Sequence, residues 1–256
     1  ENFPGNRNSG GYFLMSAFVW QSIFLVSRRT MSKNVQKLSL SVEGNIGSGK
    51  STLLKIVTSH FGDQIEVVPE PVDKWKDCRG ENVLQAFYDK PERYAYTFQS
   101  FAFITRMMQL QQIQTKPIRL LERSPLSDYC FAKNCWEMGL MNELEWKLYQ
   151  EWWQHFVSNT NHAPSAIIYL RTTPEICLER VNRRKRPEEK NMEIDYLNLL
   201  HKQHENWFIA KEGAITESTS VPFVILEGNQ EFESRKDTQT EMIQKIENLI
   251  ASVRRK

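Results

Sequence analysis

Glycine, lysine and serine recur at close spacing in GNIGSGKS, residues 44–51. The glycines let consecutive backbone N–H groups curl around phosphate oxygens, and a helix that follows such a loop points its positive end at the same anion. Lys50 would reach the β- and γ-phosphates, while the hydroxyl of Ser51 is placed to ligate Mg²⁺. The spacing predicts a site for a nucleoside triphosphate with Mg²⁺, formed by Gly44, Asn45, Ile46, Gly47, Ser48, Gly49, Lys50, Ser51 and Thr52.

Charged residues also follow two further apolar stretches of the chain. Glu70 comes directly after IEVVP, and its carboxylate is suited to taking a proton from a hydroxyl nucleophile rather than to holding phosphate. Glu122 and Arg123 follow PIRLL, where the carboxylate would hold Mg²⁺ and the guanidinium would clamp an acceptor oxygen or a transferred phosphoryl group. The alternatives are a solvated loop glutamate at position 70 and a structural ion pair at positions 122 and 123.

A cluster of cations lies further along the chain. The stretch AIIYL ends in Arg171 rather than in the aspartate of a Walker B strand, which argues against motor ATPases and GTPases. Residues 180–186, RVNRRKR, then place five cations within seven positions. Such a cluster is a solvated face, a track for nucleic-acid phosphates, or a lid that closes over a triphosphate. The phosphate-binding loop favours the lid.

Alternating strands and helices must position these residues. Short apolar runs alternate with helical periodicity, which predicts an α/β fold with a parallel sheet covered on both faces. The predicted strands are Leu38–Val42, Ile65–Val68, Ile118–Leu121, Ala166–Leu170 and Pro222–Leu226. The predicted helices follow the glycine-rich loop and span Asn82–Tyr88, Tyr94–Gln114, Asn142–Val157, Pro174–Arg184, Ile194–Ala210 and a C-terminal stripe from Met242 to Val253. We expect the strand that leads to Glu70 to neighbour the strand that leads into the loop. Glu70 would then lie in the ligand site, since ligands bind beyond the carboxyl ends of parallel strands.

Composition limits the classes of function. The chain has 256 residues, 40% of them hydrophobic and 25% charged, as in an ordinary soluble globular protein. A formal net charge of +2 is too small to indicate a general nucleic-acid or membrane binder. The four cysteines form no CxxC pair and have no histidine at zinc spacing, so we expect reduced, intracellular thiols.

The first thirty residues differ from the rest, so we expect a single domain over residues 31–256 and a non-core segment over residues 1–30. The segment has an apolar stretch from Tyr12 to Val26, which is short for a membrane span, and then Arg28 and Arg29. It is either a mitochondrial presequence or untranslated sequence ahead of a true start at Met31. The expected location is accordingly the mitochondrial matrix or the cytoplasm.

Motifs in a fixed order resemble those of the deoxyribonucleoside kinase family, and most closely its deoxycytidine and deoxyguanosine kinase branch. They are EGNIGSGKST, EPVDKW, FQSFAF, ERSPLSD, RVNRRKRPEE and HKQHENW, and the likeness extends over residues 36–252. The resemblance implies a five-stranded parallel sheet with surrounding helices and a homodimer. It also implies transfer of the γ-phosphoryl group of ATP to the 5′-hydroxyl of a deoxynucleoside, in nucleotide salvage.

The resemblance further implies a role for individual side chains. Glu70 would be the general base, Arg123 would steady the hydroxyl and the phosphoryl group, and Glu122 would assist Mg²⁺. The base would meet Trp75, Phe98, Gln99 and Phe131, and the sugar 3′-hydroxyl would meet Tyr88 and Glu189. The lid arginines would be Arg180, Arg184 and Arg186, and the donor adenine would lie against residues 227–233, which include Glu231 and Phe232.

Ala102, Arg106 and Asp128 bear on the choice of base. In the family, this combination is typical of kinases that accept deoxycytidine and purine deoxynucleosides. An aspartate oxygen accepts a hydrogen bond from the exocyclic amino group of cytosine or adenine but would face the O4 acceptor of thymine, and a long arginine fills the room that a 5-methyl group needs. We therefore expect deoxycytidine, deoxyadenosine or deoxyguanosine to be preferred to thymidine. SDYCF is one residue shorter than its family counterpart, which leaves the direction of Asp128 to the structure.

Three rival functions remain open at this stage. A nucleoside monophosphate kinase shares the loop and the lid, but Glu70 would repel the phosphate of its acceptor. A non-catalytic, kinase-like structural subunit would have no need of Lys50, Ser51, Glu70, Glu122 and Arg123. A nucleic-acid-binding ATPase is disfavoured by the nearly neutral overall charge.

Overall fold

The computed structural model describes residues 36–159, 163–213, 215 and 220–255. The predicted non-core segment 1–30 therefore lies outside the described residues. Strands pair in one sheet and every pairing is parallel. They are β1 Leu38–Glu43, β2 Ile65–Val68, β3 Ile118–Glu122, β4 Ala166–Arg171 and β5 Phe223–Glu227. The α/β architecture and the five-stranded parallel sheet are thus confirmed.

The order of the strands corrects one expectation. Across the sheet the order is β2-β3-β1-β4-β5, so β3 lies beside β1 and β2 lies at the edge. The expectation that the strand before Glu70 neighbours the strand before the glycine-rich loop is wrong. The burial of the two strands explains this, because the first four residues of β3 are buried whereas Val67 of β2 is exposed. In the observed register Val42 pairs with Glu122, which brings Glu122 and Arg123 next to the loop.

Helices cover both faces of the sheet. They are α1 Lys50–Phe61, α2 Val72–Lys76, α3 Val83–Asp89, α4 Pro91–Leu110, α5 Pro125–Glu137, α6 Glu143–Asn159, α7 Pro174–Arg184, α8 Ile194–Glu205 and α9 Lys236–Arg254. A π-helical turn, Asn206–Ala210, continues α8. Helix α4 begins three residues before its predicted start, since proline favours the first position of a helix.

Helix α5 was not predicted from the sequence, and neither was the short helix α2. The buried residues of α5 include Ser127, Asp128 and Asn134, so no purely apolar stripe marks its inner face. Hydrophobic periodicity detects a helix only when its buried face is apolar. A helix that uses its buried face for polar side chains is hidden from that signal.

The two faces of the sheet hold separate cores. Leu38, Leu40 and Val42 of β1 pack with α1 and α9 on one face. Ile167 and Tyr169 of β4 pack on the other face with side chains from α4, α5, α6 and α8. Residues at alternate positions of a strand point to opposite faces. Both cores therefore fix the strand ends at which the candidate site is formed. No helix in the described part of the chain is long and apolar enough to cross a lipid bilayer.

Candidate active site

A cavity of about 390 Å³ opens at the carboxyl end of the sheet. Its volume falls within the range of sites for small molecules, roughly 300–1,000 Å³. Most of the predicted site residues line this cavity: Ile46, Gly47, Gly49, Lys50, Ser51, Thr52, Glu70, Trp75, Tyr88, Phe98, Gln99, Ala102, Arg106, Glu122, Arg123, Asp128, Phe131, Arg180, Arg184, Arg186, Glu189, Glu231 and Phe232. Gly44, Asn45 and Ser48 do not line it.

The glycine-rich loop lies tightly between β4 and α7. Gly44 and Gly47 have φ angles of 142° and 76°, which L-residues rarely adopt. A Cβ atom would lie 2.5 Å from the carbonyl oxygen of Leu170 at position 44, and 2.3 Å from that of Cys177 at position 47. Gly49 precedes α1, and no side chain caps the helix there. The N–H groups of its first turn are thus left for an anion.

Asn45 and Ser48, which were predicted to bind the donor with the rest of the loop, form hydrogen bonds with the residues around the loop. The Asn45 amide donates to the carbonyl oxygen of Leu197 at 2.9 Å and accepts from the N–H of Ile46 at 2.8 Å. The carbonyl oxygen of Ser48 accepts hydrogen bonds from Arg180 at 2.9 Å and from the Thr172 hydroxyl at 3.1 Å. Their contacts are with the protein itself, so they position the loop.

Lys50 is buried beneath the loop. Its Nζ donates to the carbonyl oxygens of Asn45 at 2.8 Å and Gly44 at 3.3 Å. Burial lowers the pKa of Lys50 to about 7, and the neighbouring charge of Arg123 adds to this shift. A phosphate group would favour the charged form of the amine and raise the pKa again.

Ser51 and Glu122 meet at the rim of the cavity, where the serine hydroxyl donates to Oε1 of the glutamate at 2.8 Å. No group of three or more His, Cys, Asp or Glu side chains in the described residues is placed to hold a metal ion. Mg²⁺ commonly binds through one or two protein oxygens together with substrate phosphates and water. One hydroxyl and one carboxylate beside a phosphate-binding loop fit that mode of binding.

Glu70 reaches across the sheet edge to two arginines. Its Oε1 lies 2.9 Å from Nε of Arg123 and 3.2 Å from Nη2 of Arg106. Burial raises the pKa of Glu70, but the charges of Arg123, Arg106 and Lys50 oppose this and the net shift is downward. The carboxylate therefore stays ionised at neutral pH. Among the described residues the second oxygen, Oε2, accepts no hydrogen bond, which leaves a lone pair for a proton.

Arg123 adopts a strained backbone conformation with a φ angle of 67°. Its side chain donates to the carbonyl oxygen of Gly44 at 2.7 Å and lies over the ring of Phe131 at 4.4 Å. The next residue, Ser124, donates its N–H to the buried carboxylate of Glu43 at 2.8 Å. These contacts on both sides fix the direction of the guanidinium.

The far end of the cavity holds a buried ion pair. Nε of Arg106 lies 2.9 Å from Oδ2 of Asp128, and its Nη1 donates to the carbonyl oxygen of Glu122 at 2.9 Å. Burial raises the pKa of Asp128, and Arg106 opposes that shift. Because Asp128 and Phe131 are three residues apart on α5, both line the cavity despite the shorter segment.

The arginines after β4 form two groups. Arg180 donates to the carbonyl oxygen of Gly228 at 2.8 Å and lies near the Phe232 ring, on the side of the glycine-rich loop. Arg184 and Arg186 both pair with Glu189, the latter at 2.7 Å. Burial, and next the charge of Glu189, raise the pKa of the nearby Tyr88. Arg180 thus lies beside the glycine-rich loop, and Arg184 and Arg186 lie near Tyr88.

Comparisons with known proteins agree with this geometry. The sequence profile of the family described as deoxynucleoside kinase matches residues 40–251. Deoxycytidine kinase 2 of Gallus gallus is 38% identical over 250 residues, 87% of this chain and 93% of the relative. The mitochondrial deoxyguanosine kinase of Xenopus laevis is 35% identical over 87% of this chain and 93% of the relative. The chain belongs to the deoxynucleoside kinase family.

Family membership decides between the rival functions. Another member, the deoxycytidine kinase of Homo sapiens, is 35% identical over 87% of this chain and 94% of the relative. The chain is an ATP-dependent deoxynucleoside kinase. Neither the monophosphate kinase nor the structural subunit is favoured.

Several residues of this deoxynucleoside kinase site were missed in the sequence. Val72, Leu84, Phe87 and Tyr196 also line the cavity. Arg183 and Glu233 line it too, and they belong to the cation cluster and to the 227–233 segment that were predicted from the sequence. Leu84 and Phe87 are buried on α3, where apolar side chains at helical spacing are indistinguishable from ordinary core residues. Glu43 was missed too, although an acid at the end of an apolar strand is an available signal.

Proposed function

We propose that this kinase transfers the γ-phosphoryl group of ATP to the 5′-hydroxyl of deoxycytidine, deoxyadenosine or deoxyguanosine, in preference to thymidine. The observation that carries the proposal is the buried Arg106–Asp128 pair at the far end of the cavity. It supports a base site that offers a fixed acceptor and leaves little room for a 5-methyl group.

In the acceptor half, the proposal assigns the base to the space between α3, α4 and α5. Gln99 meets the edge of the base through its amide, and Asp128 accepts from an exocyclic amino group. Thymine presents the O4 acceptor there, so two acceptors would face each other without a proton. Trp75, Ala102, Phe98 and Phe131 bound the ring, and Tyr88 and Glu189 hold the 3′-hydroxyl. The burial of Gln99 and Phe98 along this wall supports the assignment.

In the donor half, the proposal assigns the phosphates of ATP to the glycine-rich loop and Lys50. Arg180, Arg184 and Arg186 would neutralise charge on the phosphoryl oxygens, and the donor base would lie beside Glu231 and Phe232. Ser51 and Glu122 would hold Mg²⁺, which supplies further positive charge to the β- and γ-phosphates when it is bound. The 2.8 Å contact between these two side chains supports that pairing.

The reaction itself then needs one base and fixed cations. Glu70 takes the proton of the 5′-hydroxyl through Oε2. The 5′-oxygen forms a bond to the γ-phosphorus, the bond from that phosphorus to the β–γ bridging oxygen breaks, and ADP leaves with its electron pair. Arg123 stabilises the charge on the phosphoryl oxygens, since Phe131 and Gly44 hold its guanidinium in place.

Product identity tests this function. With ATP and Mg²⁺, we expect the γ-phosphate of ATP to appear on deoxycytidine as a 5′-monophosphate, and we expect no transfer to dCMP or TMP. Efficient transfer to a monophosphate would contradict the assignment of Glu70 to the acceptor hydroxyl. Failure to turn over any deoxynucleoside would support a structural role instead.

We further propose that two copies associate through α4 and α6. Ile104, Met108, Leu148 and Trp152 are 38–54% exposed and recur at four-residue spacing on these two neighbouring helices. An apolar face of this kind is typical of a homodimer interface. Light scattering should give the mass of a dimer for the wild type and of a monomer for Leu148→Glu with Trp152→Glu. A monomeric wild type at micromolar concentration would contradict this interface.

We also propose that residues 31–256 form one catalytic domain and that residues 1–30 lie outside it. A chain that starts at Met31 should keep the kcat/KM of the full chain. The kinase would be located in the cytoplasm, or in the mitochondrial matrix if residues 1–30 are a presequence. Imaging of fusions with and without this segment distinguishes the two locations.

A further inference from the structure

The cavity is lined by several cations, and most of them already hold other groups of the protein. Arg106 and Arg123 hold Glu70, Arg184 and Arg186 hold Glu189, and Lys50 and Arg180 donate to backbone carbonyl oxygens. Arg183 differs from all of these. In the part of the chain that the structure describes, no hydrogen bond or ion pair engages its guanidinium, although it lines the same cavity.

Helix α7 places Arg183 beside Arg180. The two residues are three apart in the last turns of the helix, so their side chains project from neighbouring positions on its surface. Burial lowers the pKa of Arg180, and the charge of Arg183 acts in the same direction. Two like charges at this distance repel each other unless an anion lies between them.

The charges of the nearby acids Glu179 and Glu231 oppose this shift, but the net shift in the pKa of Arg180 remains downward. Glu231 and Glu233 line the same side of the cavity, but both oxygens of the Glu231 carboxylate accept from Ser234, at 3.0 and 2.8 Å. Glu189 is already held by two other arginines. Among the described residues no acid forms an ion pair with Arg180 or Arg183, so the guanidinium of Arg183 remains available to an anionic ligand.

We propose that Arg183 binds the triphosphate of the phosphate donor, as a cation additional to the three lid arginines and Lys50. The proposal rests on the proposed function in one respect, because it places the donor in the half of the cavity formed by the glycine-rich loop. A guanidinium beside a phosphate forms charge-assisted hydrogen bonds, and a partly exposed one contributes less than a buried one. The alternative is that Arg183 only contacts solvent.

Titration calorimetry without any nucleoside tests the proposal. We expect Arg183→Gln to weaken the binding of ATP with Mg²⁺ by about three- to tenfold, with a larger loss at low ionic strength. Lys190→Gln is the matched control, because it removes an equal charge from an exposed residue that lies outside the 180–186 cluster and does not line the cavity. Its affinity should stay within about twofold of the wild type. Arg183→Lys should bind more tightly than Arg183→Gln.

Steady-state kinetics provide the second readout. The Arg183→Gln variant should raise the KM for ATP and leave the KM for deoxycytidine unchanged. Wild-type affinity for ATP in Arg183→Gln, or an equal loss in Lys190→Gln, would overturn the proposal. A wild-type chain that binds ATP but phosphorylates no nucleoside would refute the proposed function while leaving the calorimetric comparison decisive for Arg183.

Discussion

The cavity has a proposed donor half and a proposed acceptor half, and the two are built in different ways. The donor half is formed largely by residues 44–52, whose backbone N–H groups and glycine φ angles define its shape. The acceptor half is formed by side chains from separate elements, among them Trp75 on α2, Tyr88 on α3, Gln99 on α4 and Asp128 on α5. Recognition of phosphate by backbone needs one short stretch of sequence. Selection of a base needs the tertiary fold.

The largest difference between the effects on the two halves should appear when Glu70 is replaced. We expect Glu70→Gln to lower kcat by about 10²–10⁴, the usual contribution of a positioned general base, because the amide cannot accept the hydroxyl proton. The dissociation constant for ATP should change by less than about twofold, since the donor half is intact. Initial rates and ATP titration measure the two quantities.

Glu81→Gln is the matched control for Glu70→Gln. Glu81 is an exposed acid that does not line the cavity, so its kcat should be that of the wild type. A Glu70→Gln enzyme with nearly full turnover would show that the base is misassigned. A large loss of ATP affinity would show that the halves are not independent.

The next largest effect should come from the buried pair in the acceptor half. We expect Arg106→Met with Asp128→Ala to raise the thymidine-to-deoxycytidine ratio of kcat/KM by about tenfold or more, because the double change removes the misplaced acceptor and makes room for the methyl group. Both residues are replaced together, since removing Asp128 alone leaves the buried guanidinium of Arg106 with its 3.2 Å contact to the Glu70 carboxylate as the only ion pair among the described residues. Steady-state rates with the two nucleosides measure the ratio.

Thermal unfolding provides the control for this pair. The single variant Asp128→Ala should be less stable than the double variant, because Arg106 would keep its charge without Asp128. The KM for ATP should be the same in all these variants. An unchanged preference in a folded double variant would contradict the assignment of the pair to the base site.

A smaller effect is expected in the donor half, from the protonation of Lys50. Its pKa is lowered to about 7 in the free protein, and bound phosphate favours the charged amine. Above pH 7 the amine must therefore gain a proton when ATP binds, so affinity should fall as the pH rises, by at most about tenfold per pH unit. Calorimetry at pH 8 in buffers of different ionisation enthalpy measures the proton uptake.

Lys50→Met is the comparison for this linkage. That variant should bind ATP more weakly and take up no proton at pH 8. Absence of proton uptake by the wild type at pH 8 would mean that Lys50 is already charged in the free protein. The acceptor half should not respond, so the KM for deoxycytidine should be the same at pH 7 and pH 8.

The same contrast explains what the sequence predicted. The glycine-rich loop and the strand before it follow from the local sequence pattern, because the shape of the backbone depends on nearby residues. The edge position of β2 does not, since the sheet order depends on burial over the whole fold. The acceptor residues were placed by resemblance to a family, not by periodicity.

Two features that were not predicted show the limit of local sequence patterns. Helix α5 was not predicted from the sequence because Ser127, Asp128 and Asn134 interrupt its apolar face. Glu43 carries a local signal as an acid at the end of an apolar strand, but its hydrogen bond from the N–H of Ser124, 81 positions away along the chain, depends on the tertiary fold. Polar groups that are buried for function weaken the very pattern by which elements are recognised.

The most direct test of the account is kcat/KM for the four deoxynucleosides with ATP and Mg²⁺. We expect a higher kcat/KM for deoxycytidine, deoxyadenosine and deoxyguanosine than for thymidine, because Asp128 offers a fixed acceptor and Arg106 fills the space for a 5-methyl group. A kcat/KM that is highest for thymidine would contradict it.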